Sequence, residues 1–505
     1  MSSVTRYRAC LVAFGAIYSL CFCLALPAFI DEAYTYNLVT DASLRHMLSA
    51  LAHGADGAFP AYALFAFGWA KVFGASELSL RLTGGVFAVL FVWHCGGRLL
   101  RRFSPTTAGL ALLVILATQN FIFYTIQARF YGMMIFLFSL VFWGTWDMVE
   151  DKGVSLRRRL GHGAACGVLC LSHPLGVVYA GILALLYLGF SSLRKTFSWA
   201  NGATFLGGPI CLMTWLPAFQ LQRGINAVFP PGATVPGWSK YWEFAFLGSK
   251  VLFAVVVIGA ALLAFAIPRS AGLRPGVSWR RAGGRRSEGA GGSLEEGNEA
   301  TVGAGNALLI IYALAFVVAL NVTTALLDAA HVIPIYLMQA VRYVLVCSVA
   351  YTVIVAGVLE SLEGLLGHAA KARWAAGACR LLPLLILAGL LAGMATSWSR
   401  WLVEKSSMES SLARLAKLAR DKGLEIVCED HESAFFLAKR AGAAQVRYLL
   451  ADDFPFKTLM RRIHEYYPDP APVGSAERRQ ATNDFVFLPA GQAPVIVPRG
   501  GTTSH

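Results

Sequence analysis

The sequence predicts an all-α polytopic membrane protein of about eleven transmembrane helices, followed by a small C-terminal α/β domain outside the cytoplasm. Three observations carry this. Hydrophobic residues make up 56% of the chain and the mean hydropathy is +0.57. Charged residues are only 14%, against roughly 25% in soluble domains. Apolar runs of about 20 residues recur along most of the chain, each long enough to cross a hydrocarbon core of roughly 30 Å.

The net charge of +14 does not indicate nucleic acid. The basic residues form short clusters between apolar runs, as cytoplasmic loops do. Spans are predicted at roughly 9–30, 80–100, 106–125, 132–149, 160–173, 174–190, 203–221, 249–268, 306–327, 335–358 and 381–397. The first ends in Asp31-Glu32 without a small-residue cleavage site, so it reads as a span rather than a signal peptide. Basic clusters fall at Arg6/Arg8, Arg98/Arg101/Arg102, Lys152 to Arg159, Arg194/Lys195, Arg269 to Arg286 and Lys371 to Arg380. Keeping them all on one side requires an even number of crossings between neighbours. The aromatic segment 59–73 decides the parity. As a helix it reaches only roughly 22 Å, so it is expected to lie on the outer face without crossing. The N-terminus is then inside and the C-terminus outside.

The membrane domain is expected over 1–397, with an outer loop at 31–79 and a disordered cytoplasmic loop at 268–305, rich in Gly, Arg, Ser and Glu. Residues 398–505 change in composition. Ser407 to Lys422 has helical spacing, Leu424 to Cys428 and Val446 to Leu450 read as strands with a helix between them, and 486–488 as a third strand. Most cysteines lie inside apolar runs and only Cys428 lies in the C-terminal region, so no disulfide is predicted there.

Against this topology, polar features converge on the outer face. Asp31 and Glu32 follow span one, and Arg81 opens span two. Arg129 and Tyr131 lie in QARFYG (Gln127 to Gly132), His173 sits at the turn before Pro174, and Arg342-Tyr343 lies in span ten. Each has a bland reading: a solvated acidic pair, a snorkelling Arg81, an interface anchor at Arg129, a packing histidine at His173. Arg342 resists it, because a membrane-centred arginine costs roughly 2.5–3.5 kcal/mol. Together, two carboxylates supply a general base for a hydroxyl, and arginines in a low-dielectric cleft bind phosphate and stabilise its developing charge. Arg129 has no carboxylate in its own loop and is expected to be available for an anion.

At these residues the chain resembles the GT-C superfamily, specifically glycosyltransferase family 39, the protein O-mannosyltransferase and aminoarabinose-transferase-like enzymes. The resemblance rests on the acidic pair, an aromatic outer helix with a proline at its start, ELSLRLTGG (Glu77 to Gly85), QARFYG and the late Arg-Tyr, and is strongest over 25–135. It implies transfer of a sugar from a polyprenyl-phosphate donor, with inversion, to a glycan, lipid or protein acceptor outside the cytoplasm. It implies Asp31 as base with Glu32 beside it, and Arg81 and Arg129 as phosphate or active-site contacts. Tyr131, His173, Arg342 and Tyr343 complete the substrate-binding set. The expected location is a bacterial inner membrane, with the site on the periplasmic side. Two departures bear on substrate identity: Ala58-Phe59-Pro60-Ala61 stands where the family often has a charged residue or His before two prolines, and Gln127 replaces an arginine. Related transferases bind a divalent cation through an acidic motif between spans three and four. Here that loop has no carboxylate, so no metal or other cofactor is expected, a guanidinium supplying the charge. The chief rival reading is a transporter or lipid flippase for an anionic substrate, although no internal repeat is evident. A third is a scaffold whose outer domain binds a partner.

Overall fold

A computed structural model describes residues 3–27, 30–225, 295–329, 344–369 and 373–428, short stretches within 245–257, and separate pieces of 434–497. The chain opens with α1 (Ser3–Ala25), α2 (Ile30–Thr40), α3 (Leu44–Ala52), α4 (Pro60–Phe73) and α5 (Glu77–Leu99). There follow α6 (Pro105–Leu116), α7 (Gln119–Ile126), α8 (Tyr131–Glu150), α9 (Leu156–Ser172), α10 (Leu175–Leu193), α11 (Trp199–Gly202) and α12 (Gly207–Ile225). Among the described residues beyond α12 are α13 (Glu295–Ala329), α14 (Cys347–Ala369) and α15 (Arg373–Lys422).

Among the described residues, seven helices are long and apolar enough to cross a membrane, or eight if α6 and α7 count as one broken span. The predicted count of eleven is therefore not reached within them. Span 249–268 lies largely outside the described residues. α9 is too short and carries Arg157 to Arg159 in its first turn. The expected straight span at 106–125 is bent by 74° between α6 and α7.

α8 is the central strut, with 78% of its best apolar window buried against 33% for α1 and 11% for α15. Trp143 and Trp146 are fully buried on it. It packs against α5, α9 and α10, and α1 packs on α5. α5 starts where Ser76 caps it, its side chain accepting from the Ser79 amide at 3.2 Å. Pro60 occupies the first turn of α4, and Gly74, at φ 78°, ends it. α4 has 14 residues, roughly 21 Å of helix and short of a bilayer core. The outer loop 31–79 holds three helices, α2 to α4, rather than one.

α13 begins at Glu295, so the end of the loop expected to be disordered is helical. α15 runs 50 residues without a break, so the composition change near residue 397 falls inside one helix. Beyond it the described residues form a five-stranded sheet. Its strands are β1 (Glu425–Cys428), β2 (Val446–Leu449), β3 (Ala471–Val473), β4 (Phe485–Leu488) and β5 (Val495–Val497), in the order β3-β2-β1-β4-β5. All pairs are parallel except β4 with β5. β3 and β5 are too short for the sequence pattern to reveal. Tyr34 of α2 packs into the core of this domain with Leu415, Ile426 and Cys428. Cys10, Cys21, Cys23, Cys95, Cys166, Cys170, Cys211 and Cys347 form no disulfide among the described residues.

Candidate active site

The site forms where α2 and the 127–130 turn meet the start of α5. Glu32, 9% exposed, sits at its centre. Arg81 donates to it twice, Nε to Oε1 at 2.9 Å and Nη2 to Oε2 at 2.7 Å. The Ala128 amide donates to Oε1 at 3.0 Å. One carboxylate thus ties together α2, α5 and the turn between α7 and α8.

Arg81 is 0% exposed, and all three of its nitrogens face protein oxygens. Besides Glu32, it donates to the Leu26 and Pro27 carbonyls at 2.5 and 2.9 Å, and Nη1 lies 2.5 Å from Glu77 Oε1. Lys405 of α15 also reaches Glu77, at 3.5 Å. The sequence places Arg81 as a substrate contact. Here it is a buried strut, with its charge matched by two carboxylates.

Arg129, 5% exposed, also has a carboxylate partner, contrary to the expectation from its own loop. Its Nη1 and Nη2 donate to Asp56 Oδ2 and Oδ1 at 2.6 and 3.0 Å. Burial disfavours its charge, but Asp56 and then Asp31 outweigh that and raise its pKa well above the ordinary arginine value. Its Nε is buried with no hydrogen-bond partner among the described residues. Asp56 comes from the α3–α4 connection and was not singled out in the sequence, because 73 residues separate the pair. Its one local signal is the turn it makes, accepting from the Ala58 amide at 3.1 Å.

Asp31 is half-buried, unlike its neighbour. The Tyr131 hydroxyl approaches Oδ2 at 3.5 Å, at the long limit of a hydrogen bond. His173 stacks on Phe130, ring centres 4.6 Å apart, and its Nδ1 accepts from the Leu175 amide at 3.2 Å. The structure thus brings Asp31, Glu32, Arg81, Arg129, Tyr131 and His173 to one end of the bundle. Arg342 and Tyr343 lie outside the described residues.

Two glycines make the approach possible. A Cβ on Gly84 would stand 2.5 Å from the Thr125 carbonyl oxygen and 2.8 Å from that of Gln127. One on Gly132 would stand 2.9 Å from the same Thr125 oxygen. Gln127 is fully buried, and its side-chain amide has no partner among the described residues. Nor do any three His, Cys, Asp or Glu side chains there form a metal-holding group.

The bundle shares its fold with two solved structures of a membrane protein. Among solved structures it is similar to the crystal structure of ArnT from Cupriavidus metallidurans in the apo state, with a TM-score of 0.58 and 15% identity over 97% of this chain and 93% of that one. It is similar as well to ArnT from Cupriavidus metallidurans bound to undecaprenyl phosphate, with a TM-score of 0.52 and 16% identity over the same shares. No protein-family profile and no curated protein matches the sequence. At this identity the likeness establishes the fold, that of a polytopic integral membrane protein.

Proposed function

We propose that the chain is a membrane glycosyltransferase that takes a sugar from a polyprenyl-phosphate donor and places it on an extracytoplasmic acceptor with inversion. The observation that carries this reading is the division of labour in the acidic pair. Glu32 is committed to Arg81 and the Ala128 amide, whereas Asp31 is partly open at the same point. Asp31 is the general base: it takes the proton of an acceptor hydroxyl as the oxygen attacks the anomeric carbon. The bond to the lipid phosphate breaks on the opposite face, and polyprenyl phosphate leaves. Glu32 and Arg81 fix the 127–130 turn, and Tyr131 and His173 border the sugar. The fold shared with an ArnT structure that holds undecaprenyl phosphate supports a lipid phosphate as the leaving group.

The described part of the site has four carboxylates, Asp31, Glu32, Asp56 and Glu77, against three cations, Arg81, Arg129 and Lys405. An anionic donor needs further positive charge. From the sequence we assign it to Arg342, with Tyr343 beside it, and the Arg129 Nε adds a donor. No metal enters this reading, in which guanidinium groups stabilise the leaving phosphate. The bacterial inner membrane, with the site and C-terminal domain on the periplasmic side, belongs to the same proposal, as does the domain boundary near 397/398.

The test is incubation of the purified protein in chelator with a radiolabelled polyprenyl-phosphate sugar and a mixture of envelope acceptors. Release of polyprenyl phosphate coupled to acceptor labelling is the expected result. Movement of intact donor across liposomes without cleavage would favour the transporter.

A further inference from the structure

The end of α8 remote from Asp31 carries a second concave feature. The 20 residues of α8 set Glu150 roughly 28 Å from Tyr131, close to the thickness of a hydrocarbon core. There α5, α8, α9 and α13 near Asn306 wall a cavity of about 790 Å³. Arginines reach it from three separate connections: Arg98, Arg101 and Arg102 at the end of α5, Arg158 in the first turn of α9, and Arg194 after α10. Two carboxylates line it. Asp147 takes a bidentate pair from Arg98, at 2.8 and 2.8 Å, and Glu150 pairs with Arg102. Among the described residues, five guanidinium groups stand against two carboxylates in the lining.

The floor is polar and held in place. His162, 6% exposed, lies between Thr204 at 2.8 Å and Thr145 at 3.1 Å. Asn306, 4% exposed, donates to the Arg102 carbonyl at 3.1 Å and to Glu360 at 3.2 Å. Arginines that only set topology have no reason to converge on a hollow, and would project separately into water. A basic pocket between transmembrane helices has the chemistry that holds a phosphate headgroup.

We propose that this cavity is a phosphate-anion site at the membrane face opposite the acidic pair, filled by an anionic phospholipid headgroup or by a soluble phosphate. Arg98 and Arg102 are held by their carboxylates as its frame. Arg101 and Arg158, both exposed and without an ion pair among the described residues, are the groups that turn to the ligand.

The experiment uses the full chain in nanodiscs and in detergent. Native mass spectrometry compares retention of phosphatidylglycerol with phosphatidylcholine, and calorimetry measures inorganic phosphate. Wild type is expected to retain the anionic species and to lose it as salt rises. Arg101→Ala/Arg158→Ala should bind about 30-fold more weakly, while Arg101→Lys/Arg158→Lys stays within about threefold, since Lys keeps the charge. An arginine-dependent loss confined to phosphatidylglycerol assigns the site to the membrane, and one confined to phosphate assigns it to a soluble ligand. Salt-insensitive binding, or equal binding by wild type and the Ala variant, overturns the proposal. The wild-type salt series decides the question even if a variant fails to fold. Asp31→Asn should leave this binding unchanged, so a failure here and a failure of the glycosyltransferase reading are separable.

Discussion

The two ends of α8 gather arginines in different ways. At the Asp31 end, Arg81 and Arg129 are 0% and 5% exposed, and each is matched to a carboxylate from a distant segment. At the Glu150 end, five arginines face two carboxylates around a water-accessible hollow. A buried guanidinium must be neutralised nearby, because desolvation is costly; a wetted one need not be. Burial and pairing therefore separate architectural arginines from those with charge to spare for a ligand. By that criterion Arg81, and to a lesser extent Arg129, serves the frame of the site.

The largest effect should come from breaking a frame pair. Arg81→Ala leaves Glu32 buried without its cationic partner and should cost about 3–5 kcal/mol. Asp56→Ala does the same to Arg129. Both should appear as a large loss of Tm in detergent. If either variant melts with wild type, these arginines are not structural and the contrast fails.

Gly84→Ala should come next. Its Cβ would meet backbone oxygens rather than a flexible side chain, so the α5 contact must open, at about 1–3 kcal/mol. Loss of transfer with a modest drop in Tm is expected. Gly109→Ala, where the structure leaves open space for a Cβ, is the control.

At the other end, Arg98→Ala breaks a pair whose side chains are 25% and 19% exposed. It should cost no more than about 1 kcal/mol. A loss as large as that of Arg81→Ala would erase the difference between the two ends.

The smallest effect concerns Asp41, where α2 meets the C-terminal domain. Its oxygens accept from the Ser43 amide at 3.0 Å and the Tyr467 hydroxyl at 3.0 Å, and pair with His46 at 2.5 Å. Burial raises its pKa, but the Ser43, His46 and Tyr467 hydrogen bonds outweigh that and hold it below 3.8. A depressed carboxylate contributes stability in full above its unfolded value and loses it as pH falls through the folded value. The contact should therefore weaken only below about pH 3.8. Hydrogen exchange of α3 between pH 5 and 3 measures this, and Asp41→Asn should remove the dependence.

Much of this was legible in the sequence. The apolar runs gave the span candidates, and the acidic pair with QARFYG marked the site, because local patterns record burial and turns. Partners were not legible. Asp56 finds Arg129 across 73 residues and Arg81 finds Glu32 across 49, and nothing in either segment announces the other. The 74° break at Ala117-Thr118 was missed as well: Thr118-Gln119-Asn120 interrupt the apolar run there, but three polar residues are too few to mark the end of a span. The unbroken α15 was hidden for the opposite reason: its composition changes where its backbone does not.

The central claim is that Asp31 and Glu32, adjacent in sequence, divide into a base and a positioning group. Single-turnover transfer by Asp31→Asn and Glu32→Gln, with the same fold by size exclusion and circular dichroism, tests it directly. Asp31→Asn should bind donor normally and lose about 10²–10⁴ in the chemical step. Glu32→Gln should lose far less in rate and show the lower Tm, because it weakens the hold on Arg81. An active Asp31→Asn beside a Glu32→Gln that is folded but dead would contradict the account.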